Sequence, residues 1–430
     1  MTVRVQIPAR RADLGRKEYC QQAFAMPEVF VARQPIFNRD LHVAGYELLF
    51  RGGDATDALV ADSEGATASV VLNSFTEIGL ERIVGSKTAW VNVSREFVLD
   101  GLAATMPPSV VGLEILEDEL LDERFVHALI DLKRQGYRLA LDDFEYSVSA
   151  ERLLSLVDIV KLDVLALGRD GMVEQVDRLK PYGVTLLAEK VESHEDHAFC
   201  AELGCDLFQG FFFCRPELLH NRGILANRTS LLEVLAALQD STVQLGELER
   251  MIGRDVGLSF RLLRYINSAF FGLRFEISSI RQALALLGVQ NLKRWATLTV
   301  LASVDGKPPE LTVTALTRAR FCERAGERLP GPRPGELFTL GLFSVIDALM
   351  DAPIEDVVAL IPFPADMRDA LTKRKGDKGA LLECVTALEA GNFDRAQKLV
   401  QGAGELYVES LMWADDAARP LFEPVEAAAA

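Results

Sequence analysis

The sequence predicts an α/β fold followed by an all-α domain, with a closed (β/α)8 barrel as the first unit. Eight short β-rich runs occur between residues 29 and 213, and most of those after the first two are separated by stretches with helical periodicity. Strands that alternate with helices indicate a parallel sheet, and eight of them suggest closure into a barrel. Beyond residue 216 the β-rich runs disappear and apolar residues recur every three or four positions, which is typical of helices.

The eight candidate strands are, in order, VFVARQPIF, HVAGYELLF, WVNV, VVGLEI, RLALDD, DIVKLD, VTLLAE and LFQGFFF. The first two are joined by a few residues around positions 38–40. This connection permits a hairpin but is too short for a parallel crossover. One strand of the barrel is therefore expected to run antiparallel to its neighbours.

Three segments follow from these patterns. Residues 1–27 lack apolar periodicity and are expected to form a mobile N-terminal tail. The barrel is expected over residues 28–222 and the helical domain over residues 226–425. Within the helical domain, the PGPRP segment at 330–334 marks a loop.

Composition and charge exclude several classes of protein. The chain has 46 Lys and Arg against 63 Asp and Glu, a formal net charge of -17, which argues against binding to duplex nucleic acid. The six cysteines are dispersed without paired metal-ligand spacing, and no secretory signal accompanies them, so a reducing cytoplasm is the expected compartment. No apolar run reaches the roughly 18 residues that a membrane span needs.

Polar side chains end nearly every predicted strand. A single acidic residue after a strand is most often a helix cap or a solvated charge, but coincidence at seven strand ends predicts a site, because these ends meet on one face of a barrel. Crowded carboxylates need cations, and hard oxygen ligands favour Mg²⁺ or Mn²⁺. Two such ions suit phosphodiester hydrolysis. The residues are Glu47, Asn92, Glu114, Asp142, Asp143, Lys161, Glu189 and Gln209.

These runs resemble those of EAL domains, the bacterial cyclic di-GMP phosphodiesterases. ARQPIF is followed by GYELLFR, in which Glu-Leu-Leu replaces Glu-Ala-Leu, and then come WVNVS, EILE, LDDF, VKLD, LAEKVE and GCDLFQGFFFCRP in the family order. The resemblance spans roughly residues 28–220. It implies an EAL-type barrel resembling a TIM barrel, with cyclic di-GMP as substrate or ligand.

Carried over position by position, the resemblance implies a two-metal site for Mg²⁺ or Mn²⁺, in which Asp143 is shared with the second ion. It also implies that Lys161 orients the attacking water, that Glu189 ligates metal or accepts the proton of that water, and that Gln209 holds it. The implied metal ligands are Glu47, Asn92, Glu114, Asp142, Asp143 and Glu189.

Three residues outside that set also match the family. Arg51, four residues after Glu47, is implied to bind a substrate phosphate, for which a bidentate guanidinium is suited. Glu117 matches a glutamate that pins the loop after the Asp pair, and Glu192 matches a supporting partner of the site.

The sequence departs from the family pattern at two places, the loop after the Asp pair and the LAEKVE segment. The family usually has DDFGTGYSS where this chain has DDFEYSVSA, and Lys190 stands where Gly is usual. Glycine allows backbone conformations that Glu145 and Ser147 adopt only with strain. Because the loop links metal binding to dimerisation in the family, the altered loop weakens the expectation of the second metal ion and of a homodimer.

Residues 255–295 resemble the core of HDOD domains, which resemble HD phosphohydrolases in fold. All five histidines of the chain precede this domain, and Ser344 and Val345 stand where the His-Asp metal pair would fall. The helical domain is therefore expected to bind a protein partner rather than to catalyse a reaction. Its IPFPADM segment, residues 361–367, is a candidate contact.

Two smaller groups of side chains could suggest additional sites. The aromatic residues of the helical domain are expected to form core rather than a nucleobase platform. His194 and His197 are expected to begin a helix as exposed groups rather than bind metal. The four aromatic residues are Tyr265, Phe270, Phe271 and Trp295.

The resemblance leaves two functions open. The first is a divalent-metal-dependent phosphodiesterase that opens cyclic di-GMP to the linear dinucleotide, based on the set from Glu47 to Gln209. The second is a catalytically silent receptor or scaffold, based on the altered DDFEYSVSA loop. A barrel hydrolase for a different phosphodiester is a third and weaker alternative, because Arg51 and the ordered motifs favour cyclic di-GMP.

Overall fold

The structure is a computed structural model, and it describes residues 29–52, 79–116, 122–147, 151–215, 226–240, 243, 245–254, 256–327 and 334–422. The predicted tail, the boundary between the two predicted domains and the PGPRP segment up to residue 333 lie outside these residues. Within the described part of the chain, none of the helices combines the length and the apolar character that crossing a bilayer requires.

Eight strands form a closed barrel in sequence order. The first strand, β1, pairs antiparallel with both of its neighbours, β2 and β8, and all other pairs are parallel. The predicted barrel with one antiparallel strand is therefore confirmed. The strands are β1 Val29–Asn38, β2 Val43–Gly52, β3 Thr88–Asn92, β4 Val111–Leu116, β5 Arg138–Asp142, β6 Ile159–Asp163, β7 Thr185–Glu189 and β8 Leu207–Gln209.

Short polar side chains begin several helices of the barrel. Ser94, Asp122, Asp163 and Ser193 each accept a hydrogen bond from a main-chain N–H of the first turn, which satisfies groups that the helix leaves unpaired. The helices are α1 Leu80–Val84, α2 Arg95–Leu99, α3 Glu123–Arg134, α4 Glu151–Leu154, α5 Val164–Leu179 and α6 His194–Leu203, with 3₁₀ turns at Ala103–Thr105, Lys180–Tyr182 and Phe211–Cys214.

The barrel interior is filled by an apolar layer. Trp90 is its largest member and lies against Gly112, where an added Cβ would fall 2.4 Å from Trp90 Cε3. Since side chains alternate between the two faces of a strand, residues two positions nearer the carboxyl ends of the parallel strands form the next layer. The buried apolar layer consists of Ile36, Trp90, Ala140, Ile159 and Leu187.

The second domain is all-helical within its described residues. Its helices are α7 Ala226–Gln239, α8 Leu245–Arg254, α9 Val256–Ile266, α10 Ile280–Leu301, α11 Pro309–Gly326, α12 Pro334–Leu342, α13 Ile346–Met350, α14 Ile354–Ala359, α15 Ala365–Lys373, α16 Gly376–Glu389, α17 Phe393–Leu399 and α18 Ala403–Phe422, with 3₁₀ turns at Ala269–Phe271 and Phe343–Val345.

Two sequence expectations for this domain have different outcomes. Tyr265 is buried, and the partly buried Phe270, Phe271 and Trp295 pack around it with ring centroids 5.4–6.1 Å from its own, as expected of core. The expectation that the segment 361–367 offers an apolar contact surface is wrong. Its larger apolar side chains are buried inside the domain, at Ile361, Phe363 and Met367.

A buried ionic cluster joins the barrel to the helical domain. Arg33 of β1 donates from Nη1 and Nη2 to the two carboxylate oxygens of Asp415 in α18, at 2.7 Å each. Its Nη2 lies 3.6 Å from Glu310 of α11, which also accepts a hydrogen bond from the Tyr46 hydroxyl at 3.0 Å. Arg33, Tyr46 and Glu310 are all buried. The helical domain is therefore held against β1 and β2 by specific polar contacts.

Candidate active site at the carboxyl ends of the strands

The polar layer of the barrel converges on one lysine. Lys161 of β6 is fully buried, and its Nζ lies 2.7 Å from Glu114 Oε2, 2.8 Å from Asp142 Oδ1 and 2.7 Å from Glu189 Oε1. Glu47 Oε2 is farther away, at 3.3 Å. Residues from five different strands, separated in the sequence by up to 142 positions, thus meet in one cluster, as expected for the strand ends of a barrel.

Electrostatics make this cluster strongly acidic. Four carboxylates against one ammonium leave a formal excess of three negative charges. Burial raises the pKa of Glu114 well above its usual range, although the Lys161 ammonium opposes the shift. Burial likewise raises the pKa of Glu189 to about 8. Burial alone would lower the pKa of Lys161, but the surrounding carboxylates outweigh it and raise that pKa.

Two amide side chains orient Glu47. Asn92 donates from Nδ2 to Glu47 Oε1 at 2.9 Å, and Gln209 donates from Nε2 to Glu47 Oε2 at 2.6 Å. The Gln209 Nε2 also donates to Gln34 Oε1 at 2.9 Å. Two buried oxygens of the cluster, Gln209 Oε1 and Glu114 Oε1, have no hydrogen-bond partner among the residues that the structure describes. Buried acceptors of this kind are rare without a ligand, ion or water to satisfy them.

The donor set fits a divalent cation. Glu47, Glu114 and Asp142 each present a carboxylate oxygen, and these atoms lie within 4.8 Å of one another. Carboxylate and amide oxygens are the ligands that Mg²⁺ and Mn²⁺ prefer. The unpartnered Glu114 Oε1 and the excess negative charge both favour binding of such an ion.

Asp143 lies outside this cluster. Its side chain is exposed, and its Oδ1 lies 3.5 Å from the Nζ of Lys190, which also pairs with Asp163. Asp143 and Lys190 both have positive φ, of 45° and 54°, a region that favours glycine. The structure thus does not bring Asp143 together with the other predicted ligands.

The expectation of backbone strain at Glu145 and Ser147 is wrong, because neither residue has a positive φ. The chain adopts left-handed conformations two positions before Glu145, at Asp143, and at Lys190, where the family has glycine. Ion pairs between Lys190 and the carboxylates of Asp143 and Asp163 accompany this conformation. Lys190, in place of the family glycine, therefore puts a cation next to Asp143. The backbone at Glu145 and Ser147 needs no glycine.

The remaining predicted residues lie apart from the cluster or outside the description. Glu192 is exposed and pairs with Arg215 at 3.1 Å. Arg51 belongs to β2, but its side chain is not among those described, and Glu117 lies outside the described residues. Gln34 was not predicted. Gln34 faces the site because β1 runs antiparallel to its neighbours, so its residue in the polar layer comes two positions before Ile36. The short connection between the first two strands was the sequence feature from which this position could have been predicted.

The expectation that His194 and His197 are exposed is wrong. Helix α6 does begin at His194, but both histidines are half-buried. The His197 ring stacks on Phe212 with centroids 4.8 Å apart and lies 4.3 Å from the ring centroid of Phe208. Its Nε2 is buried and has no hydrogen-bond partner within the described ranges. Burial lowers the pKa of His197, and the neighbouring His194 adds to this shift.

Comparisons with known proteins agree with this architecture. An EAL domain model matches residues 93–216, and an HDOD domain model matches residues 226–352. The chain is 33% identical over 403 residues to the Bacillus subtilis uncharacterized protein YuxH, covering 90% of this chain and 98% of YuxH. It is 33% identical over 378 residues to the Vibrio cholerae cyclic di-GMP phosphodiesterase CdgJ, covering 87% and 88% of the two chains.

Among solved structures, the chain is similar to Klebsiella pneumoniae BlrP1 in complex with calcium and cyclic di-GMP, with 24% identity, a TM-score of 0.35 and coverage of 44% of this chain and 55% of that chain. The EAL domain of Mycobacterium smegmatis DcpA gives 23% identity, a TM-score of 0.35 and coverage of 43% and 91%. With two full-length relatives and both domain models in agreement, the chain belongs to the family of bacterial signalling proteins that join an EAL domain to an HDOD domain.

Proposed function

We propose that the barrel is a divalent-metal-dependent phosphodiesterase that opens cyclic di-GMP to the linear dinucleotide. The observation that carries the proposal is the convergence of four carboxylates on the buried Lys161, next to two unpartnered oxygens. The full-length similarity to CdgJ, a cyclic di-GMP phosphodiesterase, supports the choice of substrate. Arg51 is proposed to bind a phosphate of that substrate, and Glu117 and Glu192 to support the site.

The residues present have distinct proposed roles. Glu47, Asn92, Glu114 and Asp142 would hold a Mg²⁺ or Mn²⁺ ion, which when bound supplies Lewis-acid activation of the phosphodiester and of water. Lys161 holds the carboxylates together and donates to the reacting groups. In hydrolysis a water oxygen bonds to phosphorus and the bond from phosphorus to one ribose oxygen breaks. The proton of the water passes to a base, and the released ribose oxygen takes up a proton from solvent.

Glu189 and Gln209 are the residues placed to act on that water. The Glu189 carboxylate is proposed to accept the proton, since it is buried within the cluster and forms an ion pair with Lys161 at 2.7 Å. The Gln209 Oε1 is buried without a protein partner and is proposed to accept a hydrogen bond from the attacking water. Asp143 is proposed to contribute weakly, because Lys190 already supplies it with a cation.

Turnover by the purified full chain tests the proposal. Protein at micromolar concentration is incubated with cyclic di-GMP and Mn²⁺ or Mg²⁺, and the products are separated by chromatography. Glu47→Gln and Glu189→Gln are expected to lose two or more orders of magnitude in rate, on the order of what removing a metal-site group costs. Glu174→Gln is the matched control and is expected to retain most of the activity, because its side chain is exposed and pairs with Arg178 on the same helix at 2.6 Å. If no linear dinucleotide is formed, the proposed phosphodiesterase activity is refuted.

A receptor without catalytic activity is the second candidate. The observation that favours it is the same Lys190 contact, since an internal cation beside Asp143 competes with a metal ion there. Calorimetry with cyclic di-GMP in Ca²⁺ separates the two functions, because BlrP1 forms a complex with calcium and the cyclic dinucleotide. Binding together with failed turnover in Mn²⁺ selects the receptor. A protein partner of the helical domain stays a prediction.

A further inference from the structure

A chain of hydrogen bonds connects the site to the helical domain through Gln34. Gln209, which orients Glu47, donates from Nε2 to Gln34 Oε1 at 2.9 Å. Gln34 in turn donates from its own Nε2 to the main-chain carbonyl of Glu389 at 3.1 Å. Glu389 is the last residue of α16 in the helical domain. Three hydrogen bonds therefore separate the Glu47 carboxylate from a main-chain atom of the other domain.

The donors and acceptors in these hydrogen bonds allow one orientation for each of the two glutamine side-chain amides. A main-chain carbonyl only accepts, so Gln34 must turn its NH₂ group toward Glu389 and its oxygen toward Gln209. Gln209 must then direct its NH₂ group to Gln34 and Glu47, which leaves its oxygen without a partner among the described residues. Amide orientation is set by such networks, and here the network begins in the helical domain. These three hydrogen bonds therefore determine the position of the unpartnered Gln209 Oε1.

Glu389, where the chain of hydrogen bonds ends, is held by contacts within the helical domain. The carbonyls of Thr386, Ala387 and Leu388 accept from main-chain N–H groups just after the helix, whereas the carbonyl of Glu389 accepts from Gln34. The negative end of the helix dipole strengthens that acceptor. The Glu389 carboxylate is buried and forms a bidentate pair with Arg318, with Nε–Oε1 at 2.8 Å and Nη2–Oε2 at 2.6 Å.

The barrel wall permits this contact because β1 and β8 pair over only three positions, beginning at Ile36 and Gln209. Gln34 lies two residues before the first of these pairs, opposite Glu47 on β2. The turn after α16 also packs closely on the barrel, since an added Cβ at Gly391 would fall 2.9 Å from Leu49 Cδ1. The helical domain thus covers the seam of the barrel at the level of the site.

We propose that Gln34 is a positioning residue through which the helical domain fixes the orientation of the Gln209 amide. The kinetic consequence of this inference rests on the proposed function, but the orientation itself does not. Both polar groups of the Gln34 side chain are used within the protein, so Gln34 acts through Gln209 and not on the substrate. Docking of the helical domain is then a requirement for full turnover.

The first test measures the amides themselves. In the full chain labelled with ¹⁵N-glutamine, the side-chain NH₂ groups of Gln34 and Gln209 are expected to exchange slowly with solvent, with assignments from Gln34→Met and Gln209→Met. Gln34→Met keeps the length of the side chain and removes its amide, and it is expected to speed the exchange of the Gln209 NH₂ group by about tenfold or more, as expected for the loss of a buried hydrogen bond. Rapid exchange of both amides in the unaltered protein would overturn the inference, whether or not the variant folds.

The matched control is Tyr46→Phe, which removes the hydrogen bond from the neighbouring strand to Glu310 and leaves the amides in place. It is expected to keep the slow exchange of Gln209. Equal acceleration in Gln34→Met and Tyr46→Phe would show a general loosening of the domain contact and would also overturn the role of Gln34. Retained protection of Gln209 in Gln34→Met has the same consequence.

The second test is kinetic. With cyclic di-GMP and Mn²⁺, Gln34→Met is expected to lower kcat by about tenfold while KM stays within about twofold, because an orientation and not a substrate contact is lost. Tyr46→Phe is expected to keep kcat within about twofold. A rise in KM with unchanged kcat would contradict a positioning role. If the unaltered protein shows no turnover, the proposed function fails, and the amide exchange alone decides the inference.

Discussion

Replacing Arg33 by methionine removes the central cation of the contact between the two domains. Its guanidinium makes two hydrogen bonds of 2.7 Å to Asp415 and lies 3.6 Å from Glu310. Methionine retains the length of the side chain and some of its packing. Two carboxylates then remain without their cation, one of them on α11 and the other on α18.

The expected loss of stability follows from the burial of these groups. Removing one partner of a buried ion pair costs about 3–5 kcal/mol. The Asp415 side chain is 26% exposed and can be solvated. Glu310 is buried, and its remaining partner within the described part of the chain is the Tyr46 hydroxyl at 3.0 Å. We therefore expect a loss at the lower end of that range, about 3 kcal/mol.

Urea unfolding followed by tryptophan fluorescence measures this loss. Trp90 reports on the barrel and Trp295 on the helical domain. Arg39→Met is the matched control, because Arg39 pairs with Asp206 at 3.1 Å with 50% of its side chain exposed, and such a pair contributes about 0–1 kcal/mol.

A double-mutant cycle with Asp415→Asn is expected to give a coupling energy above about 1 kcal/mol, since the two residues are in direct contact. The reasoning is refuted if Arg33→Met costs no more than Arg39→Met.

Three further outcomes are expected. Lys190→Gly frees Asp143 from its ammonium partner and should add a second Mn²⁺ binding event in calorimetry. Gly112→Ala would place a Cβ 2.4 Å from Trp90 Cε3 and should lower stability by about 1–3 kcal/mol in thermal unfolding. His197 has a pKa lowered by burial, so the unfolded state binds more protons below about pH 6.5. The protein should lose stability as pH falls through this window, by at most about 1.4 kcal/mol per pH unit from this group, and His197→Gln should reduce that slope.

Each of these expectations has its own control. Lys180→Gly changes an exposed lysine that pairs only locally with Asp177, and a second Mn²⁺ event in that variant would remove the special role of Lys190. Gly246 lies in α8 with no heavy atom within 4 Å of an added Cβ, so Gly246→Ala should be neutral or stabilising. A pH slope that is identical with and without His197 would show that other groups control stability in this range.

The order and direction of the barrel strands could be predicted from the sequence because each strand carries its own local signal. Apolar runs, helical periodicity between them and the short connection before β2 were sufficient to predict the closed barrel with one antiparallel strand. The strand-end side chains of the parallel strands followed from the same pattern. Glu47, Glu114, Asp142 and Glu189 all contact Lys161.

Features that depend on contacts between distant segments could not be predicted in this way. Asp143 follows Asp142 directly, yet its φ of 45° turns it out of the cluster toward Lys190, a choice that no local pattern specifies. The segment around Phe363 was predicted as a contact because it is a short apolar stretch in a region with little resemblance to the family, but its larger side chains are buried within the domain.

Strand β1 shows why the two domains cannot be considered separately. Because neighbouring residues of a strand face opposite sides, Arg33 points outward to α11 and α18 while Gln34 points toward Gln209. One strand therefore binds the helical domain with one residue and orients the site with the next. A shift of α16 by about 1 Å would take the 3.1 Å hydrogen bond from Gln34 to Glu389 beyond the range of hydrogen bonding. The apolar layer inside the barrel lies apart from this contact, since it has no described member in the helical domain. A displacement of α16 would therefore act on the orientation of Gln209 through Gln34.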